Sequence, residues 1–182
     1  MPKIIIIISN GFEEIETISI IDVCRRANID VNIVAIENIL TSGTNNITIK
    51  ADFLIKDIKN NDYDMIVLPG GLPNAYTLAQ NIQVQNLLKQ MKKSNKKIAA
   101  ICAAPYALHT AGVLNKNYTC YPSFEEKIRL DGYHNDKDVI IDENILTSRG
   151  PATAMSFALE LVRVLTSEET YINVKNALLV KS

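Results

Sequence analysis

The chain has 182 residues, of which 47% are hydrophobic and 21% charged, with a formal net charge of −1. This composition predicts one domain over 1–182 with a substantial core, and the near-neutral charge argues against nucleic acid or an anionic membrane as a partner. The apolar run near the N-terminus has no cleavage site and is far shorter than the roughly 20 residues that span a bilayer, so we expect a cytoplasmic protein.

The first half of the chain alternates short apolar runs with one amphipathic stretch. The run Ile4–Ile8 is β-branched throughout and unalternating, which predicts a strand covered on both faces in a parallel sheet. Isoleucines at helical spacing predict a helix over about 13–27. Val31–Ile36 is the second predicted strand, and Ile47–Lys50 with Phe53–Ile55 predict a short antiparallel excursion.

The second half continues the same alternation of strands and helices. Its predicted elements are a strand over Asp64–Leu68, a helix from Pro73 to about Lys93, a strand over Lys97–Ile101, a helix over about 103–111, a hairpin of 139–141 with 145–147, and closing helices over about 152–165 and 167–179. Repeated strand–helix–strand units predict an α/β fold with a doubly wound, mostly parallel sheet and helices on both faces.

Unusual residues follow three of the predicted strands. The first strand ends at Ser9-Asn10-Gly11, the third at Gly70-Gly71 and the fourth at Cys102. Ligands of open α/β sheets bind at the carboxyl ends of the strands, near the point where strand order reverses. We therefore expect these three strand ends to converge on one site.

Cys102 is the candidate nucleophile of that site. It stands between an apolar strand and the small residues Ala103 and Ala104, which predicts a sharp strand-to-helix turn of the kind that presents a nucleophile. Unpaired N–H groups at the start of the following helix favour the thiolate over the thiol. The alternative is a buried cysteine that packs as a small hydrophobic residue, which is the commoner role of a free cysteine.

Metal and disulfide chemistry are not expected. The cysteines Cys24, Cys102 and Cys120 are odd in number and widely spaced, and the chain has only His109 and His134 to accompany them. No cofactor is expected either. Gly70-Gly71 lacks the spacing of a phosphate-binding loop, so its backbone amides are candidates for an oxyanion pocket, with an ordinary tight turn as the alternative.

An acidic cluster of Glu13, Glu14 and Glu16 opens the first predicted helix. Carboxylates at a helix start interact favourably with its dipole, so two of the three are expected to be ordinary solvated caps. Glu16 is the expected exception. A carboxyl placed against a thiolate should have a raised pKa and donate a hydrogen bond to the sulfur, which suits it to acid–base work near neutral pH.

Five strings of the sequence form a pattern in chain order: GFEEIET at 11–17, DVCRRA at 22–27, LPGG at 68–71, AAICAAP at 99–105 and LTSRGP at 146–151. Taken together, they resemble the ThiJ/PfpI superfamily, and specifically its DJ-one subfamily. Each string alone is weak evidence for the family, but the five occur in the same order and register across nearly the whole chain.

The resemblance implies a flavodoxin-like fold and a homodimer formed through the first helix. It also implies Cys102 as an oxidisable nucleophile with Glu16 as its protonated partner. The implied anion or oxyanion pocket consists of Gly70, Gly71 and the amide of Ala103, with Arg26 and Arg149 lining or bracing the site.

Two positions depart from the pattern of the resembled family. Relatives often have a histidine where this chain has Tyr121, so a Cys–His–acid triad is not expected and Glu16 must carry more of the proton transfer. The basic residue of some relatives is replaced near Asn45-Asn46, which predicts a less cationic pocket rim. His109 follows Cys102 by two helical turns, too far to act as its base.

Two functions follow from the resemblance. The first is a cofactor-free glyoxalase or deglycase, in which the Cys102 thiolate adds to a methylglyoxal-type dicarbonyl and Glu16 moves the proton. The second is a non-enzymatic, redox-sensing stress protein or chaperone. A peptidase or amidase is less favoured because relatives of that kind place a histidine where this chain has Ala103, and a catalytically silent dimer also remains open.

Overall fold

A computed structural model describes residues 1–58 and 62–181. The strands are β1 (Lys3–Ile8), β2 (Asp30–Ala35), β3 (Leu40–Ser42), β4 (Thr48–Lys50), β5 (Phe53–Leu54), β6 (Met65–Leu68), β7 (Lys97–Ile101), β8 (Val139–Asp142) and β9 (Ile145–Ser148). The α-helices are α1 (Glu14–Arg26), α2 (Asn74–Gln80), α3 (Ile82–Lys93), α4 (Pro105–Thr110), α5 (Glu125–Ile128), α6 (Ala154–Leu165) and α7 (Glu168–Ala177). Single 3-10 turns occupy Ile55–Asp57 and Pro151–Thr153.

Seven of the strands form one sheet in the order β5-β2-β1-β6-β7-β9-β8. All neighbours pair in parallel except β8 and β9. The sequence order reverses beside β1, which is the signature of a doubly wound sheet. The predicted α/β, flavodoxin-like fold is confirmed.

The unalternating isoleucines of β1 are explained by two hydrophobic cores, one on each face of the sheet. Ile4, Ile6 and Ile8 join a core that includes residues of α1 and α6, whereas Ile5 and Ile7 join a core that includes residues of α3 and α4. All five side chains are fully buried, because successive side chains of a strand point to opposite faces and both faces here are covered by helices.

The single long helix predicted from Pro73 to about Lys93 is wrong, since two helices occupy this segment. Asn81 adopts an extended backbone between α2 and α3, and its side chain accepts hydrogen bonds from the backbone N–H groups of Gln83 and Val84 at 3.0 and 3.1 Å. An asparagine that caps the next helix in this way ends the preceding one. The apolar spacing runs through both helices and conceals the break.

The predicted antiparallel excursion is correct only in its first half. β4 pairs antiparallel with β3, which the sequence pattern had not indicated. β5 instead lies at the edge of the main sheet and pairs in parallel with β2. The short helix α5 was also not predicted, because four residues are too few to show a helical period.

The topology brings three strand ends to one edge of the sheet. β1, β6 and β7 are neighbours in register, with Ile6 beside Val67 and Val67 beside Ala99. The segments that follow them start at Ser9, Pro69 and Cys102 and therefore meet at the same edge. Within 1–58 and 62–181, no helix combines the length and the apolar character needed to cross a membrane.

Candidate active site

Cys102 occupies a sharp elbow between β7 and α4. Its φ angle is +65°, in the left-handed region that non-glycine residues rarely adopt. The surrounding backbone fixes this conformation: the N–H of Cys102 donates to the carbonyl of Ser148 at 3.0 Å, and its own carbonyl accepts from the N–H of Tyr121 at 2.8 Å. Strain that is held in place on both sides is typical of a functional turn.

Glu16 lies directly beneath this elbow. Its side chain is fully buried in the first turn of α1, where Oε2 accepts a hydrogen bond of 2.8 Å from the N–H of Gly70. Oε1 is buried without a hydrogen-bond partner, and the thiol of Cys102 is the polar side chain beside the carboxyl. Gly70 packs against both side chains: a Cβ there would lie 2.6 Å from Cys102 Cβ and 2.9 Å from Glu16 Oε2.

The titration of Cys102 and Glu16 is coupled. Burial raises the pKa of Glu16 to about 7, against the lowering effect of the Gly70 hydrogen bond. Burial and the negative charge of Glu16 raise the pKa of the Cys102 thiol, whereas the backbone N–H groups of Gly71 and Ala103 lower it. The net shift is upward, so the expectation that the helix start favours the thiolate is wrong while Glu16 is ionised. The negative charge of Glu16 disfavours the Cys102 thiolate, whereas the neighbouring Cys102 thiol, as a hydrogen-bond donor, lowers the pKa of Glu16. A proton on Glu16 removes the charge that opposes the thiolate.

Gly71 must be a glycine because of its backbone conformation and its close contact with Gly11. Its φ angle is +88°, and a Cβ there would lie 2.3 Å from the carbonyl oxygen of Gly11. The turn that follows β6 is thereby pressed against the turn that follows β1. This contact directs the Gly71 amide at the Cys102 sulfur.

The three acidic residues at the start of α1 have three different environments. Glu13 is the N-cap, and its Oε2 accepts from the N–H of Glu16 at 2.7 Å. Glu14 is buried and accepts hydrogen bonds from the backbone N–H groups of Asn45 and Ile47 in the β3–β4 loop. Neither is the ordinary solvated cap that the sequence had suggested.

The carboxyl edge of the sheet opens into a pocket of about 480 Å³ above Cys102. Its walls are mostly apolar or aromatic, and it is lined by Glu13, Thr44, Gly71, Leu72, Cys102, Ala103, Tyr121, Ser123, Phe124 and Pro151. Cys102 is 8% exposed in this pocket, whereas Cys24 and Cys120 are fully buried. The described part of the chain contains no group of three or more His, Cys, Asp or Glu residues that could hold a metal ion.

Both predicted site arginines lie outside this pocket. Arg26 is at the opposite end of α1 from Glu16, ten residues or about 15 Å along the helix, and it pairs with Asp22 at 2.8 Å. The expectation that it lines the site is therefore wrong for a single chain. Arg149 lines an adjoining pocket of about 210 Å³ and donates a hydrogen bond to the carbonyl of Asn135.

Tyr121 is the one predicted residue shared by both pockets. Its side chain is about half exposed, and its ring stands 3.3 Å from the position that a Cβ on Gly150 would take. It therefore forms the wall between the Cys102 pocket and the Arg149 pocket.

Sequence reasoning missed several residues that line the Cys102 pocket. Leu72, Phe124 and Pro151 come from three separate loops and carry no signal that would set them apart from ordinary hydrophobic residues. Glu13 belongs to the acidic cluster that the sequence shows, but membership of that cluster does not distinguish a helix cap from a pocket residue.

A cysteine at a strand-to-helix elbow, backed by a buried carboxyl, defines a class of flavodoxin-like α/β proteins to which this chain conforms. The family model for the DJ-1/PfpI family matches residues 2–164, and the chain belongs to that family. Its relatives include curated DJ-1 homologues and solved DJ-1 structures, which places it in the DJ-1 subfamily.

Three relatives show the extent of the similarity. The chain is 37% identical to protein DJ-1 homolog B of Arabidopsis thaliana over 98% of its own length, but it spans only 41% of that longer relative. It is 33% identical to glutathione-independent glyoxalase DJ-1 of Schizosaccharomyces pombe, covering 94% of this chain and 95% of the relative. The crystal structure of Drosophila melanogaster DJ-1beta matches with a TM-score of 0.96 and 34% identity, over 100% of this chain and 99% of that one.

Proposed function

We propose that this protein is a cofactor-independent glyoxalase or deglycase that acts on methylglyoxal-type dicarbonyls or their adducts in stress defence. The observation that carries the proposal is the contact between Cys102 and the fully buried Glu16, both packed against Gly70, with Cys102 lining an open pocket. The name of the S. pombe relative, a glutathione-independent glyoxalase, supports the same chemistry.

The proposed reaction uses only groups of this chain and water. The Cys102 thiolate adds to the aldehyde carbon of the dicarbonyl, forming a C–S bond while the carbonyl electron pair moves to oxygen. The amides of Gly71 and Ala103 stabilise negative charge at the sulfur end of the site. Glu16 removes the hydrogen of the former aldehyde carbon and returns a proton to the neighbouring carbon, giving a thioester. Water then cleaves the thioester, releasing lactate from methylglyoxal and regenerating the thiol.

The test is the loss of methylglyoxal without added cofactor, with detection of lactate, for wild type and Cys102→Ser. Lactate from wild type and none from the variant is the expected result. Lactate formation that survives in Cys102→Ser would refute a cysteine mechanism. Folded, reduced wild type that forms no lactate would refute the glyoxalase activity itself.

A redox-sensing role is the second candidate, favoured by the difference in exposure among the cysteines. Cys102 faces the pocket, whereas Cys24 and Cys120 are fully buried. A protonated Glu16 would also donate a hydrogen bond to a sulfinate on Cys102. Mass spectrometry after mild peroxide treatment should find oxidation on Cys102 alone, and equal oxidation of the three cysteines would contradict this role.

Two further properties complete the proposal. Ile15 and Ile18 lie on the outer face of α1 and are 58% and 43% exposed, so this face is the proposed contact of a homodimer.

The three cysteines are free, which suits a reducing compartment, and we place the protein in the cytoplasm.

A further inference from the structure

The Cys102 pocket contains a second carboxyl group that the mechanism above does not use. Glu13 lines the pocket together with Cys102 and Ala103. Its position is fixed from two sides, because its own N–H donates to the carbonyl of Gly70 at 3.1 Å and its Oε2 accepts from the N–H of Glu16 at 2.7 Å. Glu13 is therefore held at the pocket wall by Gly70 and Glu16, the two residues that are also joined by a hydrogen bond beside Cys102.

Glu13 and Glu16 approach the site from different sides of Gly70. The N–H of Gly70 binds the carboxyl of Glu16 below the elbow, and the carbonyl of Gly70 binds the backbone of Glu13 at the pocket wall. Glu16 is fully buried, whereas Glu13 is only partly buried and is open to a substrate that enters the pocket. Of the two carboxyl groups, Glu13 is therefore the one that lines the pocket, and Glu16 lies beneath it beside Cys102.

The surroundings of Glu13 suit it to proton transfer. Burial raises its pKa, and the negative charge of Glu14 acts in the same direction, although hydrogen bonds from the N–H groups of Glu16 and Ile15 oppose this. Among the described residues, no lysine, arginine or histidine lines the pocket. A carboxyl with a raised pKa is closer to the operating pH and exchanges protons more effectively as an acid and a base.

Resting on the proposed glyoxalase function, we propose that Glu13 is a second catalytic acid–base residue, which moves the hydroxyl proton between the two oxygens of the substrate while Glu16 moves the proton between its two carbons.

The reaction needs a group that carries a proton between the two oxygens of the substrate. When the thiolate adds to the aldehyde carbon, the former aldehyde oxygen accepts the proton of the Glu13 carboxyl and becomes a hydroxyl. Glu16 then removes the hydrogen of that carbon as a proton, which leaves an enediolate with the negative charge on the former ketone oxygen. The Glu13 carboxylate takes the hydroxyl proton from the first oxygen and gives it to the second, and Glu16 returns its proton to the second carbon, which yields the thioester. When water cleaves the thioester and lactate leaves, the two protons of the water return to the Glu13 carboxylate and the Cys102 sulfur. Overall the aldehyde carbon is oxidised, the ketone carbon is reduced, and no external oxidant or reductant is needed.

Glu13→Gln separates proton transfer from the capping role. The glutamine side chain retains an oxygen that accepts from the N–H of Glu16, so the cap is kept, but it cannot exchange a proton. The matched control is Glu169→Gln, which removes an exposed carboxyl from the first turn of α7, far from the pocket in the chain. Each variant is assayed for lactate formation from methylglyoxal across pH and for alkylation of Cys102 by iodoacetamide.

We expect Glu13→Gln to lower kcat by about 10²-fold with little change in KM, and to leave the alkylation rate of Cys102 within about twofold of wild type. Glu13→Asp should recover part of kcat, because the carboxyl is kept but its reach is shortened. The control should match wild type in both assays. The pH dependence of kcat should also lose one ionisation in Glu13→Gln.

Three results would overturn the inference, and they are distinguishable. Normal kcat in Glu13→Gln, with active wild type, rejects the role of Glu13 and leaves the glyoxalase function standing. A parallel loss of kcat and of Cys102 alkylation shows that Glu13 acts only by holding the elbow. No lactate from wild type rejects the glyoxalase function, and the role of Glu13 falls with it.

Discussion

The backbone N–H of Gly70 donates a hydrogen bond of 2.8 Å to Oε2 of Glu16, and this contact holds a carboxyl group in a fully buried position beside Cys102. It links the end of β6 to the first turn of α1, so two segments that are 54 residues apart share one site. Because the hydrogen bond favours the carboxylate and burial favours the acid, the pKa of Glu16 is about 7 and the group can change protonation near neutral pH.

Gly70→Ala should therefore damage the site more than the fold. The new Cβ would lie 2.6 Å from Cys102 Cβ and 3.0 Å from its sulfur, so the elbow must shift. We expect methylglyoxal turnover to fall by about 10²-fold, with an unfolding free energy lowered by about 1–3 kcal/mol.

Gly112→Ala is the control for this substitution. Gly112 has a φ angle of +70° but nothing lies within 4 Å of the position of its Cβ, so alanine adds backbone strain without a clash. We expect a loss of about 1 kcal/mol in the unfolding free energy and normal turnover. Equal turnover of the two variants would contradict the role assigned to the space around Gly70.

The stability of the protein should depend on pH through Glu16. Its carboxyl has an ordinary pKa of 4.5 in the unfolded chain and about 7 in the fold, so between these values the folded state holds the additional proton. A group whose acid form is favoured by folding stabilises the protein at low pH and loses that contribution as pH rises. We expect the unfolding free energy of wild type to fall by about 3 kcal/mol from pH 4.5 to 7, relative to Glu16→Gln.

Denaturant unfolding at a series of pH values measures this difference, since the other titrating groups are common to both proteins. The slopes of unfolding free energy against pH for wild type and Glu16→Gln should be most similar below pH 4.5, where the Glu16 carboxyl is protonated in both the folded and the unfolded state. Parallel profiles from pH 4.5 to 7 would mean that Glu16 has an ordinary pKa in the fold.

Replacing Cys102 should reveal the strain stored at the elbow. Its φ angle of +65° is costly for any side chain with a Cβ but not for glycine. We expect Cys102→Gly to be about 1 kcal/mol more stable than Cys102→Ala in thermal or denaturant unfolding, although both should lack turnover. A less stable glycine variant would show that the backbone does not keep this conformation in solution.

The outer face of α1 should control the oligomeric state. Ile15→Asp adds a charge to an apolar face that is exposed in the single chain, and we expect it to convert the proposed dimer into a monomer in analytical ultracentrifugation. Ile82→Asp, at an isoleucine on α3 that is 68% exposed, serves as the control and should leave the mass unchanged. A monomeric wild type would refute the dimer.

Local patterns determined most of the fold and pointed to the reactive residue. The β-branched run of β1 indicated a strand covered on both faces, because unalternating apolar residues are typical of a buried parallel strand. Small residues after β7 indicated the elbow at Cys102. These signals are readable because they depend on neighbours in the chain. The break at Asn81 was hidden because the apolar spacing continues across it.

Only the tertiary structure decided what the acidic residues and arginines do. The sequence singled out Glu16 but predicted Glu13 and Glu14 alike as solvated caps, yet Glu13 lines the pocket and Glu14 binds the β3–β4 loop. Arg26 shares a helix with Glu16 but lies at its opposite end, where it pairs with Asp22. The burial and the hydrogen bonds of these side chains depend on segments that are far apart in the chain. They are therefore fixed only when those segments pack together, and they in turn determine the pKa and the role of each side chain.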